Sequence, residues 1–285
     1  MKGHIMNNNL NFRIVADSAA DVTELKTVDF CAAPLKIRAG EREFYDTPSL
    51  DIAEMVDYLK AYKGKSTSSC PNPDEWLAAF GDAKYVFGVT LSSNISGSYN
   101  AAMIAKNIYE TEYPERRVFI VDSLSAGPEE TILVEKLEEL ITAGNDFDSI
   151  CRKITAYHKK TGVLFMLESL TNFANNGRVS PAIAKIAGLL GINIVGTASD
   201  EGTLTPTDKC RGLKKSIATI ISHLKSAGYT GGKLRIAHCF NPDGALALKN
   251  SIINTFKTAE IIISATGGLC SFYAERGGLL VGYET

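Results

Sequence analysis

Between residues 91 and 100 the chain reads Leu91-Ser92-Ser93-Asn94-Ile95-Ser96-Gly97-Ser98-Tyr99-Asn100. Four serines and an asparagine fall within the seven residues 92–98. Such a run offers hydroxyl and amide groups that donate hydrogen bonds without carrying charge. The flanking residues say where it sits. The apolar run Tyr85-Val86-Phe87-Gly88-Val89 before it reads as a buried strand. Ala101, Ile104, Ala105 and Ile108 after it share one helix face. A hydroxyl-rich loop therefore joins a strand end to a helix start, where unpaired N–H groups and a partial positive charge gather. That chemistry suits an anion held by neutral dipoles. A capping role for Ser96 accounts for one hydroxyl; the others exceed what a cap needs and point to a ligand.

Two further polar stretches follow apolar ones. Asp17-Ser18-Ala19-Ala20-Asp21 comes directly after the short strand Phe12-Arg13-Ile14-Val15-Ala16. Open α/β sheets place their ligands at such strand ends, although Asp17 or Ser18 serves equally well as a helix cap. Ser66-Thr67-Ser68-Ser69-Cys70-Pro71 precedes Asn72-Pro73, a cap and first-turn proline for a helix carrying Trp76, Leu77 and Phe80. It reads as a second anion cradle or as an ordinary Ser/Thr turn.

The elements that carry these stretches alternate strand, polar loop and helix. Arg117–Val121 is a further strand, ended by Asp122-Ser123-Leu124-Ser125, and Leu133, Val134, Leu137, Leu140 and Ile141 mark a helix stopped by Gly144. A helix from about Asp146 to Lys160 closes the series. This is the pattern of a parallel sheet with helices on its faces. A second series begins near Gly162 with Val163-Leu164-Phe165-Met166-Leu167. It continues through a helix started by Ser180-Pro181, with Ile183, Ile186, Ala187 and Leu190 on one face, and a hairpin around Ser199-Asp200-Glu201-Gly202. A helix opening at Arg211, a strand from Lys233 to His238, a helix capped by Asn241-Pro242 and a strand at Ile261-Ile262-Ile263 follow. The expectation is two α/β domains with mostly parallel sheets, 12–160 and 161–285, with the 91–98 loop at their interface.

Composition bounds the function. The 285 residues carry a formal net charge of -2, so no basic field advertises nucleic acid. The apolar stretch 182–198 is broken by Lys185, glycines and Asn193 and is too interrupted for a membrane span. The first eleven residues are polar and lack the apolar core of a secretory signal. The six cysteines contain no C-x-x-C pair, which gives no basis for a metal or dithiol site; reduced thiols in a cytoplasmic protein are expected.

Taken together, the Asp17–Asp21 stretch, Ser68-Ser69-Cys70-Pro71, the 92–99 loop, Val121-Asp122-Ser123, Gly177-Arg178 and Arg211-Gly212-Leu213-Lys214-Lys215 resemble the DegV family in order and spacing, over roughly Phe12 to Tyr283. The resemblance implies a protein that holds a long-chain fatty acid between two α/β domains and performs no chemistry itself. It implies no cofactor, and a fatty acid kinase as partner that phosphorylates the carboxylate. The family's carboxylate contacts fall on Ser68, Ser93 and the backbone N–H of Asn94. Three positions depart from the family: Ser68 stands for a usual threonine, Asn94 for a usual glycine, and Tyr273 for the histidine of a His-Thr-Gly-Pro-Gly run. A tyrosine hydroxyl can still donate to a carboxylate. Arg178 and Arg211, taken to lie away from the cradle, are the expected partner contacts.

Two other readings stand beside this one. A serine-dependent acyl-ester hydrolase would use Ser93 as nucleophile and His238 as base, but no G-x-S-x-G elbow surrounds any loop serine. A phosphate or nucleotide binder would use the glycines at 267–268 and 277–278, but no G-x-x-x-x-G-K-[ST] run occurs.

Overall fold

The computed structural model describes residues 11–183 and 191–285. Ile186, Ala187 and Leu190 of the helix expected after Pro181 lie outside them, as does most of the N-terminal lead-in. In chain order the first half comprises β1 (Phe12–Asp17), β2 (Asp29–Ala33), β3 (Lys36–Ala39), β4 (Arg42–Tyr45), α1 (Ile52–Ala61), β5 (Ser66–Ser69), α2 (Pro73–Phe80), β6 (Tyr85–Thr90), α3 (Ser98–Glu112), β7 (Arg117–Asp122), α4 (Pro128–Thr142) and α5 (Phe147–His158). The second comprises β8 (Thr161–Leu167), α6 (Thr171–Asn175), β9 (Ile192–Ala198), β10 (Leu204–Arg211), α7 (Gly212–Ser226), β11 (Gly232–His238), α8 (Pro242–Thr255), β12 (Ala259–Ala265), α9 (Gly268–Ala274) and β13 (Leu279–Glu284).

β1, β2, β6 and β7 form one parallel sheet in the order β2-β1-β6-β7. Its strands are apolar on both faces because both are covered. Val15, Val86 and Val118 pack on Trp76, Phe80, Ala101 and Ala105 from α2 and α3, while Ile14, Phe87, Val89 and Val121 pack on α4 and α5. Of the caps read from the sequence, Asn72 holds, while the helix at Ser98 starts from Gly97 at the cap position rather than from Ser96. Asn72 accepts from the Glu75 N–H at 2.9 Å, and Glu75 returns the bond in a capping box. Asp51 and Asp146 cap α1 and α5.

The second sheet runs β10-β9-β8-β13-β11-β12. The two-unit α/β organisation is as expected, but this sheet is not mostly parallel: only β11 and β12 run parallel, and its other pairings are antiparallel. The cause is β13. The final strand inserts between β8 and β11, in the middle of the sheet, and opposes both. Along β8 the side chains alternate in the period of a strand. Leu164 and Met166 join the core under α7 and α8; Phe165 and Leu167 face the other way.

Helix α4 lies between the sheets. Ile132, Leu133 and Val134 are all fully buried; three successive residues cover about 200° of a helix, which requires cover on both sides. The layers therefore run α2/α3, parallel sheet, α4, mixed sheet, α7/α8. A third, small antiparallel sheet, β4-β3-β5, flanks the first. Its strand β5 is the hydroxyl cluster 66–69, paired to β3 with Ser68 opposite Ile37, so the cluster is a strand rather than a turn. Among the described residues no helix is long and apolar enough to cross a membrane.

Candidate functional site

The loops leaving β1, β2, β6 and β7 end together, as the strands of an open parallel sheet require. Against them stand β8, the β9–β10 turn, α6, α9 and β13. Between these walls lies a cavity of ≈ 270 Å³. Most of its lining is apolar: Leu35 and Leu91 from the first unit, Val163, Phe165, Leu167, Leu204 and Leu280 from the second. Among the described residues its polar groups are few: Ser68, Ser69, Ser96, Ser125, Thr203, Tyr273, the thiols of Cys70 and Cys270, and a single cation, Arg178.

Tyr273 owes its position to a chain of buried bonds at the start of α9. The Asp46 carboxylate accepts the N–H groups of Gly268 at 2.6 Å and Leu269 at 2.9 Å. Ser18 donates to the same carboxylate at 2.8 Å and accepts the Leu35 N–H at 3.0 Å. A glycine-rich segment near the C-terminus is thereby tied to the loops after β1 and β2. From α9 the Tyr273 hydroxyl meets Ser68 Oγ at 2.7 Å, and its ring packs on Phe173 at 4.6 Å between centroids. Burial raises the Tyr273 pKa, and the bond from Ser68 works against that rise. Asn176 steadies the same corner by accepting the Ser68 N–H and donating to the Ser66 carbonyl.

The serine loop is held by acids. Asp17, buried at the end of β1, accepts the Leu91 N–H at 2.9 Å and the Ser98 hydroxyl at 2.5 Å. Asp17 is thus a hook for the loop rather than a cap of its own turn. Burial lifts its pKa to about 6, against the pull of these donors. Its second oxygen and one oxygen of Glu130 on α4 are both buried without a conventional donor. The two side chains bond each other, and burial, reinforced by the Asp17 charge, raises Glu130 well above the usual carboxylate range. A proton held between them would satisfy both.

The expected site residues separate. Ser68 and Tyr273 come together at the cavity. Ser93 and Asn94 are not in its lining: the Ser93 N–H donates to Asp122 at 3.0 Å, the Asn94 N–H to Ser92 Oγ at 3.3 Å, and the Asn94 amide to the Glu201 carbonyl at 2.5 Å. The loop residues that do reach the cavity are Ile95, Ser96 and Gly97. Arg178 is also displaced from its expected place. It lines the cavity, with Nε donating to the Ile95 carbonyl at 3.0 Å, because the turn after α6 folds back onto the serine loop. Arg211 is exposed at the start of α7. The lining residues not singled out, Ser96, Ser125 and Cys70, and the displaced Arg178 all stand in motifs the sequence made visible; the strand order that selects among them was not visible.

Ser93 and His238 are not brought together. His238 closes β11, where Nδ1 meets the Asn241 N–H at 3.4 Å, and among the described residues no histidine lines the cavity. At Gly268 and Leu269, where a phosphate would need free N–H groups, the Asp46 carboxylate already occupies them.

The model of the DegV family of uncharacterised proteins matches residues 11–285. The chain belongs to the DegV family. A DegV domain-containing protein of Streptococcus pneumoniae is 44% identical over 279 residues, spanning 96% of this chain and 99% of that relative. Among solved structures, a DegV family protein from Eubacterium eligens loaded with heptadecanoic acid superposes with a TM-score of 0.94 at 44% identity, covering 96% of this chain and 99% of that one. The Streptococcus pneumoniae fatty acid kinase B3 protein loaded with linoleic acid gives the same TM-score, identity and coverage. A DegV family protein from Ruminococcus gnavus refined with vaccenic acid follows at 0.88 and 27%, covering 96% and 100%.

Proposed function

We propose that this DegV protein binds a long-chain fatty acid and presents its carboxylate to a fatty acid kinase, without catalysing a reaction itself. The observation that carries this reading is the polarity of the cavity: an apolar space with the Ser68 and Tyr273 hydroxyls converging at one corner. Burying ~14 methylenes at ~0.8 kcal/mol each contributes roughly 11 kcal/mol before ordering costs. The carboxylate must then find donors, since an unpaired buried charge is expensive. Ser68, Tyr273 and Ser96 supply them, with Arg178 near enough to offset the charge. The fatty acids bound by the homologues at 44% identity support the same ligand class.

Mass spectrometry of ligand released from denatured purified protein tests the reading; a long-chain fatty acid is expected at near one per chain. Recovery of none, together with no binding of added fatty acid, overturns it. For the kinase step, ATP and a fatty acid kinase catalytic subunit should yield acyl phosphate, trapped by hydroxylamine as a hydroxamate. Exposed Arg211 is the proposed partner contact, and its reversal to Glu should lower hydroxamate yield while lipid affinity holds. We also propose the division 12–160 and 161–285 as the domain boundary, supported by the change of sheet between β7 and β8.

A further inference from the structure

A second concavity lies on the outer face of the molecule, over α7 and α8. These helices pack side by side on the mixed sheet, where Ile220 and Leu224 of α7 meet Leu248 and Ile252 of α8 in the core. Above that seam runs an open groove of ≈ 680 Å³. Leu213, Ile217 and Ile221 line it from α7, and Ala247 and Ser251 from α8. Lys214 and Ala218, both exposed, complete the α7 wall. Leu213, Ile217 and Ile221 fall at i, i+4 and i+8, one stripe along a helix, and span about 12 Å. No residue of the groove also lines the cavity. β8 separates the two: Leu164 and Met166 face the core under α7 and α8, whereas Phe165 and Leu167 face the cavity.

The charge beside the groove is one-sided. α7 contains Lys214, Lys215 and Lys225 and no Asp or Glu. α8 adds Lys249 and one acid, Asp243. The two helices thus hold four lysines against one aspartate, in a chain whose formal net charge is -2. Lys249 is turned to the Ile261 carbonyl at 3.3 Å. Lys214 and Lys225 are exposed, and among the described residues neither forms an ion pair. Eleven positions apart, close to three turns, they mark one side of α7 about 16 Å from end to end.

An apolar stripe of that length, edged by unpaired lysines, matches a helix with apolar side chains at i, i+3, i+4 and i+7 and carboxylates along one flank. A second copy of this chain matches it poorly. Two-fold symmetry would set the lysines of one α7 against those of the other.

We propose that the α7–α8 groove docks an acidic amphipathic helix of another protein, its apolar face on Leu213, Ile217 and Ile221 and its carboxylates on Lys214 and Lys225. The groove shares no wall with the cavity, so this docking stands apart from the fatty-acid reading.

Two synthetic peptides of about 18 residues serve as probes, long enough to form a helix. Both carry leucines at i, i+3, i+4 and i+7; one flanks them with glutamates and the other with lysines. Fluorescence anisotropy against the full chain at about 0.05 M salt should show the glutamate peptide binding at least about tenfold tighter. Lys214→Glu/Lys225→Glu should reverse that order. Ala218→Glu, at an exposed position of the groove wall, should weaken the glutamate peptide by about tenfold. Fatty-acid affinity should be unchanged in each variant, and circular dichroism melts check that each is folded. Equal affinity for the two peptides, no binding of the glutamate peptide at about 1 mM, or a preference that survives in the double variant overturns the proposal. A wild-type dimer in sedimentation velocity that Ala218→Glu dissolves would give the groove to a second copy. Binding to phosphatidylglycerol vesicles that the double variant loses, without a peptide preference, would give it to a lipid surface. Either result overturns the proposal as well.

Discussion

At the scale of single residues, the head-group corner makes a discriminating prediction. A donor to a charged acceptor contributes about 1.5–3 kcal/mol, so Ser68→Ala and Tyr273→Phe should each weaken fatty-acid binding by roughly ten- to a hundredfold. Ser93→Ala should cost much less, because the Ser93 N–H serves Asp122 and the residue is outside the cavity lining. Calorimetric titration of the three variants decides; a larger loss for Ser93→Ala than for Ser68→Ala would return the cradle to the start of the loop. The buried acids predict a pH effect of fixed sign. Burial lifts Asp17 to about 6 from 3.8, and burial with neighbouring charge lifts Glu130 and Asp21 further. These groups hold more protons folded than unfolded, so their contribution is full below about pH 4 and is lost as pH rises through the folded values. Glu130→Gln keeps a donor for Asp17 but removes a titrating proton. Urea unfolding from pH 5 to 8 should show the variant gaining on the wild type as pH rises. Curves that stay parallel would remove the shared proton.

Among the elements, α9 is the one whose placement decides the site, and it was the least legible. Its sequence, Gly268-Leu269-Cys270-Ser271-Phe272-Tyr273-Ala274, has a weak helical pattern behind two glycines, and its dock is an aspartate more than two hundred residues away. Local periodicity carries no information about such a contact. The parallel sheet was legible, because continuous apolar runs and clear caps are local signals. The antiparallel character of the second sheet was not, since the insertion of β13 between β8 and β11 is a matter of chain order in space. β5 was hidden by composition: Ser66-Thr67-Ser68-Ser69 lacks apolar alternation and forms a strand through its pairing with β3. Asp46→Ala tests the dock of α9. It strands two backbone N–H groups and the Ser18 hydroxyl in a buried place, and unsatisfied groups cost about 1–3 kcal/mol each. The expected outcome is a loss of about 3 kcal/mol or more in stability together with weaker fatty-acid binding, since Tyr273 moves with α9. Chemical denaturation and lipid titration report both; unchanged lipid affinity in a destabilised variant would separate α9 from the site.

For the whole molecule, the question is whether two sheets mean two folding units. Helix α4 argues against independence. Its Leu133, Val134 and Leu137 belong to the core of the parallel sheet, and its other side is clamped to the mixed sheet. There Arg235 on β11 makes a forked pair with Glu135, Nε to Oε1 at 2.8 Å and Nη2 to Oε2 at 2.7 Å. Lys233 joins through Glu139 at 2.6 Å and Glu135 at 3.3 Å. Arg235 is 7% exposed and Lys233 9%; both carboxylates on Lys233 come from α4, whereas Arg235 also reaches Glu260 on β12 at 3.3 Å. The contacts of α9 and of the β9–β10 turn, where Gly202 is pressed against Ser92 Oγ and the Leu124 backbone, close the other end. A buried cation stripped of its partner costs about 3–5 kcal/mol. Glu135→Ala removes the fork but leaves Lys233 on Glu139 and Arg235 on Glu260, so it should lower stability by less than that, about 1.5–3 kcal/mol for the lost charged hydrogen bonds, whereas Glu115→Ala, at an exposed surface pair, should stay within about 1 kcal/mol. Because α4 is core to one sheet and counter-charge to the other, the wild type should unfold in a single calorimetric transition, with van't Hoff and measured enthalpies in agreement. Two resolved transitions in the wild type would show that the interface, and with it the cavity, opens while each unit stays folded. A single transition in the wild type that splits in Glu135→Ala would identify this ion pair as the link that makes the cavity part of one cooperative structure.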